Sequence, residues 1–539
     1  MANSIPALVP RGRGHQFVVY GDSCSGVPGG PHERTFACVN AVVRRLQPQP
    51  EFILFLGDEI VGLTADARAL RAQWSHWLDV EMAWLDRGMT PIWHTTSNHT
   101  TYDVMSEAVF REVLRLPENG PPQQVGLSYF VRRSDLLLVF VHTSWSGLGG
   151  EGHVETEWLE TVLKEHESAR YKLVLGHHPI FPINGFSGAY QRELGSEYSR
   201  PFWDILVNAG VLAYLCSHIL AFDVQANRGV LQICTAGAGT AHRMPEEVEY
   251  LHCVQAALDE KGLRCQVLDA AGVVRERVEW PLPIDAPFEW REVPHGETEA
   301  VFSGHLTGGR IAELRLSGKT NTAAAAQTMF SAFSPDALAA LWLGLRGPKQ
   351  TLTVIVQREQ GRSPIYWLGP DLASTGSFDI HIALYPDMGP GGVLYRHHGD
   401  TRWSSFRGAT ATGLERLRWP SRVEHRSWAR WYEGPSVFRR IADSQHRDQI
   451  ACSCARIGTI GNDCVACLER TWDERQGVIA ASWQLVAPVS RRAFRFATVS
   501  PAKGGQEVHM VSPRFSRATA SISAGKDGVT PGHPIADSK

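Results

Sequence analysis

At 539 residues the chain is too long for one ordinary domain, and two or three are expected. Hydrophobic residues make up 43% of it and the formal charge is -3, which excludes a disordered polyelectrolyte and leaves no strong electrostatic case for nucleic acid or an anionic membrane. The first ten residues lack the apolar core of a signal peptide, and no stretch reaches transmembrane length without a charge or turn residue, so a cytoplasmic, non-membrane protein is the expectation.

The N-terminus, with Leu8-Val9-Pro10-Arg11-Gly12 resembling a protease-cleavage linker, reads as a flexible lead-in over residues 1–14. Short apolar runs then alternate with amphipathic stretches. Phe17 to Tyr20 predicts a strand, Glu33 to Leu46 a helix, Phe52 to Leu56 a strand, Ala65 to Leu85 a helix and Ile92-Trp93 a strand. Leu136 to Val141, Leu173 to Leu175 and Val211 to Leu215 predict further strands, with a helix over Glu155 to Glu165. This alternation predicts an α/β domain over 15–280, a layered β-sheet core with flanking helices and a substantial parallel component. In such sheets ligands gather beyond the carboxyl ends of strands.

Pro281, Pro283 and Pro287 mark a linker at 281–289. Beyond it, Thr351 to Gln357, Ser377 to Leu384 and Val393 to Arg396 have strand character between glycine-rich turns, which predicts a C-terminal β-sandwich over 290–513. Residues 514–539 are rich in Ser, Ala, Gly and Lys without periodicity and read as a disordered tail.

Five short segments follow apolar runs of the first half: Gly21-Asp22-Ser23-Cys24, Gly57-Asp58-Glu59, Ser97-Asn98-His99, Gly176-His177-His178 and Ser217-His218-Ile219-Leu220. Carboxylate, amide and imidazole donors at strand ends suit divalent ions such as Mn, Fe or Zn, which activate water and clamp a phosphoric ester. In order and spacing the series resembles the calcineurin-like metallophosphoesterases, which include the purple acid phosphatases, over residues 15 to 280. The resemblance implies a metallophosphoesterase-type fold and a metal-dependent hydrolase of phosphomonoesters or phosphodiesters acting on a small molecule. It implies Asp58 as the carboxylate shared between two metals, Asn98, His177 and His218 as further ligands of the second metal, and Asp22 as a ligand of the first. His99 matches the histidine that acts beside the leaving-group oxygen.

The first-metal half departs from the pattern. Cys24 and Leu220 stand where the family has histidines, and Val61 stands at the tyrosine position of the purple phosphatases. One firmly held ion rather than two is therefore the expectation, with Cys24 or Asp223 as replacement ligands and a buried neutral thiol as the other reading of Cys24. His32, Arg34, His178 and Arg243 are candidate cations near the ester, and His99 and His178 can equally be hydrogen-bonding residues behind the ligands. Two rival readings stay open: a catalytically degenerate fold that binds a glycan or protein, and repurposed mononuclear non-haem metal chemistry.

Ten cysteines are too few for a disulfide scaffold in a chain of this length. Six are dispersed through the first half and read as small core residues. Cys452, Cys454, Cys464 and Cys467 suit a structural zinc in a reducing compartment, or two disulfides in an exported protein. The segments around Phe378 and Val393 resemble strands of a laminin-G or lectin-like sandwich. Trp403, Trp419, Trp428 and Trp431 either stack on a glycan or fill the sandwich core and its domain interface. Trp145 lines the cleft or packs in the core.

Overall fold

The computed structural model describes residues 4–183, 194, 196–240, 250–281, 311–319, 326–334, 339–357, 365–385, 388, 392–408, 452–460, 465–473 and 478–486. The first part runs β1 (Gly14–Tyr20), α1 (Pro31–Val43), β2 (Phe52–Phe55), α2 (Ala67–His76), β3 (Ile92–His94), α3 (Val104–Leu114), β4 (Tyr129–Arg133) and β5 (Leu136–Phe140). A small hairpin, β6 (Ser144–Trp145) and β7 (Gly149–Glu151), precedes α4 (Thr156–Glu165), β8 (Tyr171–Leu175), α5 (Ser196–Asn208) and β9 (Ala213–Cys216). The remaining strands are β10 (Phe222–Asn227), β11 (Val230–Thr235), β12 (His252–Asp259), β13 (Gly262–Asp269) and β14 (Val274–Trp280).

These strands form two six-stranded sheets, ordered β14-β13-β12-β1-β2-β3 and β10-β11-β9-β8-β5-β4. β1, β2 and β3 are parallel in the first, and β5, β8, β9 and β11 are parallel in the second. The sequences explain the parallel centres: FILF in β2 and LLLVF in β5 are buried along their whole length, as strands covered on both faces must be. Phe17, Val19 and Val254 of one sheet face Leu173, Leu215 and Ile233 of the other. The expected layered α/β core is thus present, with antiparallel strands β12–β14 added beside β1.

The helices start where local chemistry permits. α1 has Pro31 at its first turn and buries Phe36, Val39, Val42 and Val43 on one face. Asp66 caps α2 by accepting from the Arg68 amide at 2.8 Å, and Asp103 and Ser106 form a reciprocal capping box on α3. The single helix expected over Ala65 to Leu85 is shorter. It gives way to a π-turn over Trp77–Glu81, with Trp74 and Trp77 both fully buried.

Residues 4–13 run beside β12 and β13. Gln266, Gln255 and Arg264 on β12–β13 donate to the carbonyls of Pro6, Leu8 and Val9. Of the dispersed cysteines, Cys24, Cys216, Cys234, Cys253 and Cys265 are buried as expected, while Cys38 is exposed on α1.

The described residues of the second half form two antiparallel sheets. One runs β22 (Ser404–Ser405), β21 (Val393–His397), β20 (Ser377–Leu384), β15 (Ile311–Lys319), β24 (Cys452–Ile460), β25 (Val465–Asp473) and β26 (Val478–Val486). The other runs β16 (Ala326–Ser334), β17 (Ala339–Arg346), β18 (Thr351–Gln357), β19 (Ile365–Asp371) and β23 (Arg407–Gly408). Tyr385, Met388, Leu394 and Trp403 join the same apolar cluster as the first sheet pair. Trp403 is buried there, and its carbonyl accepts from the Gly229 amide at 2.9 Å. The Ser405 and Ser404 hydroxyls accept from the amides of Ala226 and Arg228, each at 2.8 Å.

Trp419, Trp428, Trp431 and Cys464 lie outside the described residues, as do the expected linker beyond Pro281 and the tail. Cys452 and Cys454 fall on β24 and Cys467 on β25, opposite Gly458. Among the described residues no helix is long and apolar enough to cross a membrane.

Candidate metal centre

Each candidate ligand sits just past the carboxyl end of a parallel strand: Asp22 after β1, Asp58 after β2, Asn98 after β3, His177 after β8 and His218 after β9. The two sheets therefore deliver their strand ends to one cleft. Asp22, Asp58 and His218 hold positive φ of 62°, 55° and 68°, so three sharp turns aim these side chains inward.

The tightest part of the cleft is built from Asn98, His177 and His218. His177 Nε2 lies 2.9 Å from Asn98 Oδ1 and 3.1 Å from His218 Nδ1, and His218 Nδ1 is 2.9 Å from the same Asn98 oxygen. Asp58 Oδ1 stands 3.5 Å from His177 Nε2. His177 Nδ1 donates to the Leu56 carbonyl at 2.8 Å, so a neutral ring presents a bare Nε2 to this group. His178, which is fully buried, packs its ring 4.5 Å from that of His218 and contributes a third imidazole, with Nδ1 at 2.8 Å from the Thr143 hydroxyl. Donor atoms of His177, His178 and His218 all lie within 4.8 Å of one another.

Asp22, Asp58 and His177 form a second overlapping group. Asp22 Oδ2 is also engaged by the Ser217 hydroxyl and, at 3.0 Å, by the His218 amide. Burial is the largest influence on this carboxyl; with the Asp58 charge it outweighs His177 and the two hydrogen bonds and pushes the pKa up to about 7. Burial also acts to raise Asp58, but His177, His99, the Ser97 contact and His218 together hold it below the ordinary carboxylate value.

The altered half takes its own form. Cys24 is buried within reach of Asp58 and His99. Burial, reinforced by Asp58 and Asp22, raises its thiol well above the ordinary value, so it is a neutral thiol here. Asp223 lies on β10, accepts from Gln225 Nε2 at 2.9 Å, and joins none of the ligand groups found among the described residues. Val61 is exposed. The Val61 carbonyl instead accepts from His99 Nδ1 at 2.6 Å, which leaves His99 Nε2 on the cleft side, 3.8 Å from Asp58 Oδ2.

Of the candidate cations, His32 bonds through Nδ1 to the Cys24 carbonyl at 2.9 Å and Arg34 is exposed on α1. Arg243 lies outside the described residues. Trp145 stacks on His153 at 4.3 Å and is 38% exposed, which places it at the surface rather than in the core.

Several supporting residues were not foreseen from the sequence. The Ser97 hydroxyl accepts from the Asp58 amide at 2.8 Å. Thr240 donates through its amide to the Asp22 carbonyl at 2.9 Å and through its hydroxyl to the same oxygen. Ser97 and Ser217 each directly precede a candidate ligand, which is the one signal that could have flagged them.

Behind Asp58, Glu59 and His94 share a buried contact of 2.8 Å. Burial pushes Glu59 well up and His94 down to about 3, so the contact is a neutral hydrogen bond rather than an ion pair. Glu59→Gln is accordingly expected to change stability by less than about 1 kcal/mol, whereas Glu59→Leu, which strands buried His94, costs about 1–3 kcal/mol. Urea unfolding midpoints check both values.

Gly57 leaves no room for a side chain beside the cleft. It has φ +90°, and a Cβ there would lie 2.6 Å from Ser97 Cβ and 2.8 Å from His177 Nδ1. Gly57→Ala is expected to cost about 2–4 kcal/mol and to displace His177. Thermal unfolding would measure the first effect and the imidazole NMR signals the second.

No protein-family model matches the chain, and no curated protein matches it in sequence. Similar solved structures include GAP50, the anchor in the inner membrane complex of Plasmodium, at 15% identity and a TM-score of 0.33, covering 49% of this chain and 88% of that one. A purple acid phosphatase from yellow lupin (Lupinus luteus) seeds is similar at 12% identity and a TM-score of 0.38; the match covers 50% of this chain and 54% of that protein. A putative 5'-nucleotidase from Staphylococcus aureus is similar at 14% identity and a TM-score of 0.33, over 75% of this chain and 88% of that one. These likenesses are distant.

Proposed function

We propose that the cleft holds one divalent ion on Asp58, Asn98, His177 and His218, and that the protein is a metal-dependent hydrolase of phosphoric esters. The observation that carries this is the convergence of the bare His177 Nε2, Asn98 Oδ1, His218 Nδ1 and Asp58 Oδ1 on one small volume. These are electron-pair donors, and a cation reconciles them. Two imidazoles with two oxygen donors fit Mn, Fe or Zn better than Mg or Ca.

When bound, such an ion supplies Lewis acidity toward the ester and lowers the pKa of water. The chain's own residues do the rest. The Leu56 carbonyl fixes the His177 tautomer, and Asp22, gripping the His218 amide, positions the loop that carries that ligand. His99, anchored through Nδ1, turns Nε2 toward the cleft, where it can exchange a proton with the departing alkoxide oxygen. With Oδ2 of Asp22 engaged and no histidine at positions 24 and 220, the first-metal half acts as a strut rather than a full second site.

The test is metal analysis of protein purified without chelator, paired with turnover of aryl phosphomonoesters and phosphodiesters in the presence of Mn, Fe, Zn or Co. Loss of one ion per chain in His218→Ala, together with hydrolysis by the native chain, supports the assignment. Full occupancy without turnover would sink the hydrolase and leave a metal-binding fold.

A further inference from the structure

A second group of ligating side chains lies in the C-terminal half, on the outer part of β20 and the turn after β21. Asp379 and His381 are two residues apart on β20 and share a face. In the antiparallel register Ile380 faces His397, so His398 continues opposite Asp379, and its amide donates to the Asp379 carbonyl at 2.8 Å. His381 Nε2 and His398 Nδ1 stand 3.0 Å apart. One ligand atom from each of the three residues lies within 4.8 Å of the others.

We propose that Asp379, His381 and His398 form a binding site for a divalent transition metal, zinc above all, separate from the cleft. Two imidazole nitrogens and one carboxylate oxygen are the donors that zinc and its neighbours prefer, and too few and too nitrogen-rich for Mg or Ca. Zn–N bonds of about 2.0–2.1 Å in a tetrahedron place two ligand nitrogens roughly 3.3 Å apart, within a few tenths of an ångström of the spacing here.

The two ring planes are parallel to within 8°, and at the 3.0 Å separation one nitrogen, without metal, donates its N–H to the other. Binding needs both nitrogens bare, and the donor ring reaches that state by moving its proton to its outer nitrogen, with no net charge change. Two arginines stand across from His381, Arg315 on β15 and Arg396 on β21; the Arg396 guanidinium carbon is 4.7 Å from the Trp403 ring centroid and the group donates to the Asp400 carbonyl. Asp379 and His381 are half-buried and His398 is exposed, so three protein ligands would leave coordination open to solvent.

Zinc titration of the full chain, stripped with chelator, tests the site by calorimetry. The native chain is expected to bind one more equivalent than His398→Ala, and His381→Ala should show the same loss. The zinc-induced shifts of the His381 and His398 imidazole signals should vanish with it. Binding at the cleft is monitored separately through His218→Ala, in which the surface equivalent should persist. Unchanged zinc stoichiometry in both His398→Ala and His381→Ala would overturn the proposal. Since His398 is exposed, its replacement should leave thermal unfolding unaltered, so a lost equivalent reports ligation rather than misfolding.

Discussion

His177→Ala is expected to lose the cleft ion and to lower phosphoester hydrolysis by about 10³-fold or more, equivalent to about 4 kcal/mol of transition-state stabilisation. The size follows from position. His177 is fully buried, and its Nε2 contacts both Asn98 and His218 while facing Asp58. Its removal therefore takes one ligand away and leaves the others without the group that spaces them. His218→Ala reaches the same ion from a half-buried position and guards against a folding artefact. Metal content and kcat/KM measured on both variants decide the matter. Native-like turnover in His177→Ala would refute the proposed ligand set.

Asp22→Asn is expected to stabilise the metal-free protein in neutral and alkaline solution while weakening metal binding. The folded pKa of about 7 lies above the ordinary value of 3.8. A carboxyl raised on folding favours the folded state fully below its unfolded pKa, and that advantage is lost as pH rises through the folded value. Between about pH 4 and pH 7 the metal-free native chain should lose up to about 4 kcal/mol relative to Asp22→Asn. Asp58 works in the opposite sense, since its lowered pKa withdraws stability only as the solution becomes more acidic than the ordinary carboxylate range. The amide oxygen of Asn can still accept from the Ser217 hydroxyl and the His218 amide. Chemical unfolding of both proteins in chelator across this range provides the comparison. A constant difference between them would show that Asp22 does not titrate there.

The cleft was legible in the sequence because chemistry and local structure coincide in it. Asp58, Asn98, His177 and His218 each follow an apolar run, and parallel strands deliver such residues to one edge of a sheet. The packing around them was not legible. Thr240 reaches Asp22 across more than two hundred residues, and β1 finds its antiparallel partner β12 at a similar separation, so no local pattern announces either contact. The π-turn after α2 was hidden for another reason: Trp74 and Trp77, three residues apart, suit an ordinary helical face, and no local residue marks where the helix changes. Cys24 could be read as ligand or core from its place in the series, and only the fold shows it buried beside Asp58, where burial and that charge raise its thiol.

The serine pair of β22 also bears on the outer edge of the second sheet. β10 ends its sheet, and an outermost strand ordinarily offers a row of backbone donors and acceptors on which a neighbouring molecule can nucleate. Here the amides of Ala226 and Arg228 are already taken by Ser405 and Ser404, and Trp403 covers the turn at Gly229. At these two amides the serine hydroxyls of the C-terminal half stand where a further strand would otherwise pair.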